Sequence, residues 1–176
     1  ANVYASNLNY RLINANKKDS VNFSAKNIGG SLQDMLVHGS NFSAKIRGLY
    51  FTDNKGLDVT SLTTDFSYTK SAMRFKNTTL QTLNSNIKAN IDFTYKVEDL
   101  PFFNDKVNIK AVFDNSSIYV PDLKNYYKEL SSKDLINLKG VVNGKLNNFS
   151  LNTLNLKSKN GLKIIGDLDF VNSVNF

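Results

Sequence analysis

The chain contains no cysteine and no tryptophan, and it has one histidine (His38), two prolines and two glutamates among 176 residues. Without cysteine there are no disulfides, no thiolate metal sites and no cysteine nucleophile. A single histidine excludes a histidine-rich metal centre and would force any Ser-His-Asp arrangement through His38. No apolar run reaches 18 residues, so no segment reads as a membrane-spanning helix. No basic-then-apolar leader is visible, and any export or anchoring signal of a parent protein is expected outside this stretch.

Asparagine, with 26 copies, is abundant where glutamate and proline are scarce. That composition suits turns and solvated strand faces better than long helices. The net charge of +7 comes from 19 lysines and three arginines. Lysines 45, 88, 110, 139 and 163 stand singly, apart from arginine and aromatic clusters, which argues against nucleic acid as a partner. Dispersed lysines on strands keep a sheet soluble and discourage edge pairing.

Period-two alternation fills the chain. Phe42, Ala44 and Ile46 alternate with Ser43, Lys45 and Arg47. Ile87, Ala89, Ile91, Phe93 and Tyr95 alternate with Lys88, Asn90, Asp92 and Thr94. Val107, Ile109, Ala111 and Phe113 form a third run, Leu138, Gly140 and Val142 a fourth, and Leu162, Ile164, Gly166, Leu168 and Phe170 a fifth. Alternate side chains of a strand point to opposite faces, so each run has one apolar face and one mostly polar face. Turn signals are expected at Gly29-Gly30, Asp53-Asn54-Lys55-Gly56, Asn115-Ser116-Ser117, Asn143-Gly144 and Lys159-Asn160-Gly161. Apolar residues at 123, 126, 127 and 130 have helical spacing, and Pro121 followed by Asp122 suits a first turn. One short helix is therefore expected over 121–130, covering an end or edge of the sheet. The stretch 75–95 shares its plan with 149–170 and, more loosely, with 42–68, which favours a sheet that grows by repetition. The whole of 1–176 reads as one repetitive β segment with no internal domain boundary.

No pattern points to catalysis. Gly140 to Lys145 has three residues between its glycines where a phosphate-binding loop needs four, and Leu146 where a hydroxyl should follow. Asp167 and Asp169 share a strand face, and a solvated face explains them without acid–base chemistry. No cofactor, metal site or enzymatic activity is expected. The expected fold is all-β: an elongated, curved, antiparallel-rich sheet forming an open groove, like a taco shell. Its candidate lining is the apolar face of each run: Phe42, Ala44 and Ile46; Ile87, Ala89, Ile91 and Phe93; Val107, Ile109, Ala111 and Phe113; Leu162, Ile164 and Leu168. The small residues among them leave room for an apolar ligand. The alternative is a structural β-sandwich or β-solenoid spacer, or an adhesin repeat, filled by its own side chains.

Several phrases resemble the TamB family of translocation and assembly module proteins, AsmA-like, in its Bacteroidetes form. They are Phe42 to Phe51, Lys55 to Tyr68, Leu80 to Ile87, and Val107 to Phe113 followed by Asn115-Ser116. Asp122-Leu123-Lys124, Leu138-Lys139-Gly140 and Gly144 to Phe149 complete the set, and the similarity runs from about Gly29 onward. Leu83 stands where the family phrase has proline. The resemblance implies a periplasmic segment of a long protein of a Gram-negative bacterium, anchored in the inner membrane. It implies an open β-trough that carries phospholipid acyl chains between the membranes and supports outer-membrane biogenesis. A distal part of such a protein meets a BamA-family outer-membrane barrel. The family has no catalytic residues, and its working surface is the inward apolar face.

Overall fold

A computed structural model describes residues 1–12, 21–124, 126 and 130–173. Ten antiparallel strands form a single open sheet in strict chain order. They are β1 (Asn2–Leu12), β2 (Val21–His38), β3 (Asn41–Asp53), β4 (Asp58–Tyr68) and β5 (Ala72–Gln81). β6 (Asn86–Thr94), β7 (Asn108–Tyr119), β8 (Leu135–Lys145), β9 (Asn148–Ser158) and β10 (Lys163–Val171) complete it. Each strand packs chiefly against its neighbours in sequence, and among the described residues no second sheet lies on either face. The closed sandwich is thereby set aside.

Short polar side chains close the hairpins. The Asp53 carboxylate accepts from the backbone N–H groups of Lys55 (2.9 Å) and Leu57 (2.8 Å). The Thr69 hydroxyl accepts from Ala72 N–H (3.0 Å), and that of Thr82 accepts from Ser85 N–H (2.8 Å). Ser158 Oγ does the same for Leu162 N–H (3.2 Å). In each case a side chain near the end of one strand replaces the ladder partner that the turn removes.

Three of the expected turns lie inside strands instead. Gly29-Gly30 sits within β2, Asn115-Ser116-Ser117 within β7 and Asn143-Gly144 within β8. Asn115 has φ 44°, and it marks a β-bulge at which the β7–β8 register shifts. The same device recurs in alternate strands, at Gly48 in β3 (φ 60°), Asn77 in β5 (φ 52°) and Thr153 in β9 (φ 50°). A bulge adds one residue, bends the strand and raises its twist.

In three cases the strand that follows caps the bulge. The N–H of Gly48 donates to Thr63 Oγ1 (3.2 Å), that of Asn77 to Asn90 Oδ1 (2.8 Å) and that of Thr153 to Asp167 Oδ1 (2.7 Å). The similarity among 42–68, 75–95 and 149–170 is therefore a repeated hairpin, bulged in its first strand and capped from its second. At the fourth bulge the facing residue is Lys139, which has no acceptor and instead pairs with Asp114 (3.4 Å).

Helical structure among the described residues is confined to two connections. Between β6 and β7 a 3-10 turn, Val97–Phe102, runs into α1 (Phe103–Lys106), which the sequence reading did not anticipate. Between β7 and β8 lies α2 (Val120–Leu123), with Pro121 in its first turn as expected. α2 is shorter than the expected 121–130, and residues 125 and 127–129 of that span lie outside the described residues.

The sheet leaves much of itself in water. Its accessible surface is 11348 Å², whereas a compact monomer of this mass exposes roughly 8,600 Å². Leu154 and Val107 are the largest apolar side chains that are fully buried.

Candidate functional site: an uncovered apolar face

The register assembles the alternating runs into continuous rows across the strands. From β3 to β10, Ala44, Phe66, Phe75, Ile91, Ala111, Val142, Leu151 and Leu168 stand opposite one another in turn. Two residues along, Phe42, Tyr68, Met73, Phe93, Ile109, Gly144, Phe149 and Phe170 form a second row on the same face. Neither row holds a charge. The residues between them face the other way: Ser43, Ser67, Arg74, Asp92, Lys110, Asn143, Ser150 and Asp169. One side of the sheet is thus dry and the other polar across eight strands, about 34 Å at the usual strand spacing.

The dry face is lined but not filled. Ala44, Ala89 and Ala111 are buried because larger neighbours overhang them, at 4%, 5% and 5% exposure. Phe42, Ile46, Ile87, Ile91, Phe93, Ile109, Phe113 and Ile164 are only half-buried, and Leu168 is exposed. Aromatic rings form a ladder along the face. The centroids of Phe42 and Phe66 are 5.9 Å apart, Phe66 and Phe75 4.9 Å, Phe75 and Phe93 6.2 Å, and Phe93 and Phe103 5.5 Å. Phe103 belongs to α1, so this connection covers the β6 end of the ladder. On the other flank Phe149 stacks on Phe170 at 4.7 Å.

The hydroxyls on this face are satisfied from within. Thr64 Oγ1 donates to the Lys76 carbonyl (3.0 Å) and lies 2.8 Å from Thr78 Oγ1. Ser116 Oγ donates to the Lys88 carbonyl and accepts from its N–H, both at 2.9 Å. Thr64 and Ser116 are fully buried, so neither offers a polar group to a ligand.

Charges on the opposite face pair across strands. Arg47 holds Asp65 at 2.7 Å, and Asp92 lies between Lys76 (2.6 Å) and Arg74 (3.6 Å). The side-chain amide of Asn77 and the guanidinium of Arg47 together hold Asp65 below the ordinary carboxylate range.

Twelve of the fourteen candidate lining residues lie in strands on this face, and two do not line it as expected. Val107 precedes β7, closes α1 through its N–H to the Phe103 carbonyl (3.2 Å), and is wholly buried. Leu162 lies in the turn before β10 and is exposed. The sequence reading missed Phe66, Met73, Phe75, Leu151 and Leu154. In β5 and β9 the bulges at Asn77 and Thr153 switch which parity faces inward, so no unbroken alternation marks Met73, Phe75, Leu151 and Leu154, and in β4 the inward Thr64 interrupts the apolar run that holds Phe66. It also missed the β1–β3 section, where Val3, Leu8, Ala25, Ile28, Leu49 and Phe51 surround an apolar hollow.

Among the described residues no cluster of metal-ligating side chains occurs, and His38 is exposed at the end of β2. Asp167 is engaged with the Thr153 N–H. No described helix is long and apolar enough to cross a membrane. Comparison with protein-family models, curated proteins and solved structures gives no match for the chain.

Proposed function

We propose that the dry face is a furrow for the acyl chains of phospholipids and that the protein is a non-enzymatic lipid conduit. The observation that carries this reading is the pair of uncharged apolar rows running across eight strands, over which the described residues lay no second sheet and only the short α1 connection at β6. Each methylene moved from water to such a surface gains about 0.8 kcal/mol. An acyl chain spans half of a hydrocarbon core roughly 30 Å thick, so the furrow is longer than one chain. Its side chains are aliphatic and aromatic and its hydroxyls are internally bonded, so a chain meets no polar well along the way. A charge pointing inward would interrupt that path, and the two rows contain none.

The resemblance to TamB-type strand phrases extends the proposal. The chain would be a section of a periplasm-spanning trough between the inner and outer membranes, in the service of outer-membrane biogenesis. A BamA-family barrel would be met by a distal part of the parent protein.

The test uses one-residue steps. A photoreactive phenylalanine analogue is placed at Ile91 or Ile109, and in parallel at Asp92 or Lys110, in cells of a Gram-negative host. Phospholipid adducts at the first two positions and none at the second two are expected. Adducts on both faces, or on neither, would overturn the reading.

A further inference from the structure

The apolar surface is not uniform. At the β1–β3 end it deepens into a hollow of about 340 Å³, lined by Val3, Leu8, Ala25, Ile28, Leu49 and Phe51 among others. Backbone geometry makes the depression. β2 is bulged at Asn27 (φ 55°) and β3 at Gly48 (φ 60°), so both strands bend beside it. At Gly30, on its wall, a Cβ would stand 2.7 Å from Leu49 Cα, so glycine is what lets the two strands come this close. The lone hydroxyl on the wall, Ser31 Oγ, donates to the Arg47 carbonyl at 3.4 Å.

These features select an occupant. Water needs two to four polar partners to settle in a cavity, and this wall does not supply them. A head group would find no charge or amide to hold it. The hollow near Arg74, Lys76 and Asp92 on the opposite face shows the contrast, being walled by charge. The volume is at the small end of ligand pockets, roughly 300–1,000 Å³, which admits the end of one chain and not a whole two-tailed lipid.

We propose that the β1–β3 hollow is a seat for the methyl end of a single hydrocarbon chain, a holding site within a furrow that elsewhere lets chains slide. This rests on the acyl-chain reading above and adds a place and a specificity to it: one tail is gripped and the head group is not recognised.

The test uses the full chain and palmitic acid carrying a diazirine at its terminal carbon. Labelled residues are mapped by mass spectrometry. Labels concentrated on Leu8, Ile28 and Leu49 are expected. Even labelling along Phe75, Ile91 and Phe113 would overturn the seat and leave the conduit standing. Labelling no stronger than that of an unrelated β-protein would overturn both.

Filling the hollow with Ala25→Leu should weaken binding of the unmodified fatty acid about tenfold, whereas Ser43→Leu, the same bulk on the polar face, should leave it unchanged. Equal effects of the two would also count against the seat. Should Ala25→Leu fail to fold, the labelling map of the native chain still decides. If light scattering shows a dimer that Ala25→Leu disperses, a second copy fills the hollow and the proposal is wrong.

Discussion

Single residues with left-handed backbone conformation set the shape of the sheet. Asn77 and Thr153 occupy equivalent bulges, yet they suit them differently. Asparagine tolerates this region, whereas a β-branched residue there is strained. Thr153→Asn is expected to stabilise the protein by about 1 kcal/mol, read from urea unfolding. Asn77→Ala should cost roughly 1–2 kcal/mol, because it loses both that tolerance and the bond from Asn77 Nδ2 to Asp65. Asn77→Gly should recover only the backbone part of the loss, since glycine cannot replace the bond to Asp65.

Asp65 carries a pH signature. Its carboxyl is held below the ordinary range in the folded state, so its contribution is present above the unfolded value, about pH 4, and disappears as the pH falls through the lower folded value. Melting temperatures measured between about pH 5 and pH 2 should fall less steeply for Asp65→Asn than for the native chain. The side chain is about a third exposed, so the effect is expected to be small.

Elements show why the sequence is partly readable. β6 contains no bulge, and its alternation from Ile87 to Phe93 reads directly as one dry face. β5 and β9 carry a bulge each, and their inward residues change parity midway. Asparagine, the residue that signals a turn, also marks a bulge, and only the pairing partner tells the two apart. This is why Asn115 reads as a turn and proves to mark a bulge, whereas Asn143-Gly144 pairs in unbroken register with β7 and β9 and forms neither.

The Val97–Lys106 connection was missed for another reason. It has no apolar periodicity of its own, and it is fastened by tertiary contacts: the Asn147 side-chain amide donates to the Asp105 carboxylate, and Asn147 N–H to the Asn104 carbonyl (3.0 Å). The start of α2 is likewise fastened to a distant turn. Asp122 accepts from Thr82 Oγ1 and Ser85 Oγ, both at 2.6 Å. Asp122→Ala should cost about 1–2 kcal/mol and speed hydrogen exchange at the amides of residues 82–85 and 119.

At the scale of the molecule, the one-layer design separates stability from the furrow. A half-buried side chain in an uncovered face can change without breaking a core. Ile91→Lys is therefore expected to keep the circular dichroism spectrum of the native chain while sharply reducing the phospholipid that co-purifies with it. A sandwich core would respond in the opposite way, losing its fold first. The dry face itself was legible, since its alternation is local, but which strands stand side by side was not. At six of the nine connections, two to four residues long, a strand can pair only with the next, whereas 95–107 and 120–134 are long enough for a crossover and the order there rests on tertiary contacts.

Strict pairing of sequence neighbours also governs how the protein comes apart. With packing among the described elements confined almost entirely to chain neighbours, its cooperativity resembles that of a linear array, in which loss begins at an outermost member and moves inward. Pulled from its two termini, such a chain would peel away hairpin by hairpin in small steps, giving a sawtooth of low forces where a closed barrel would yield in one high-force event.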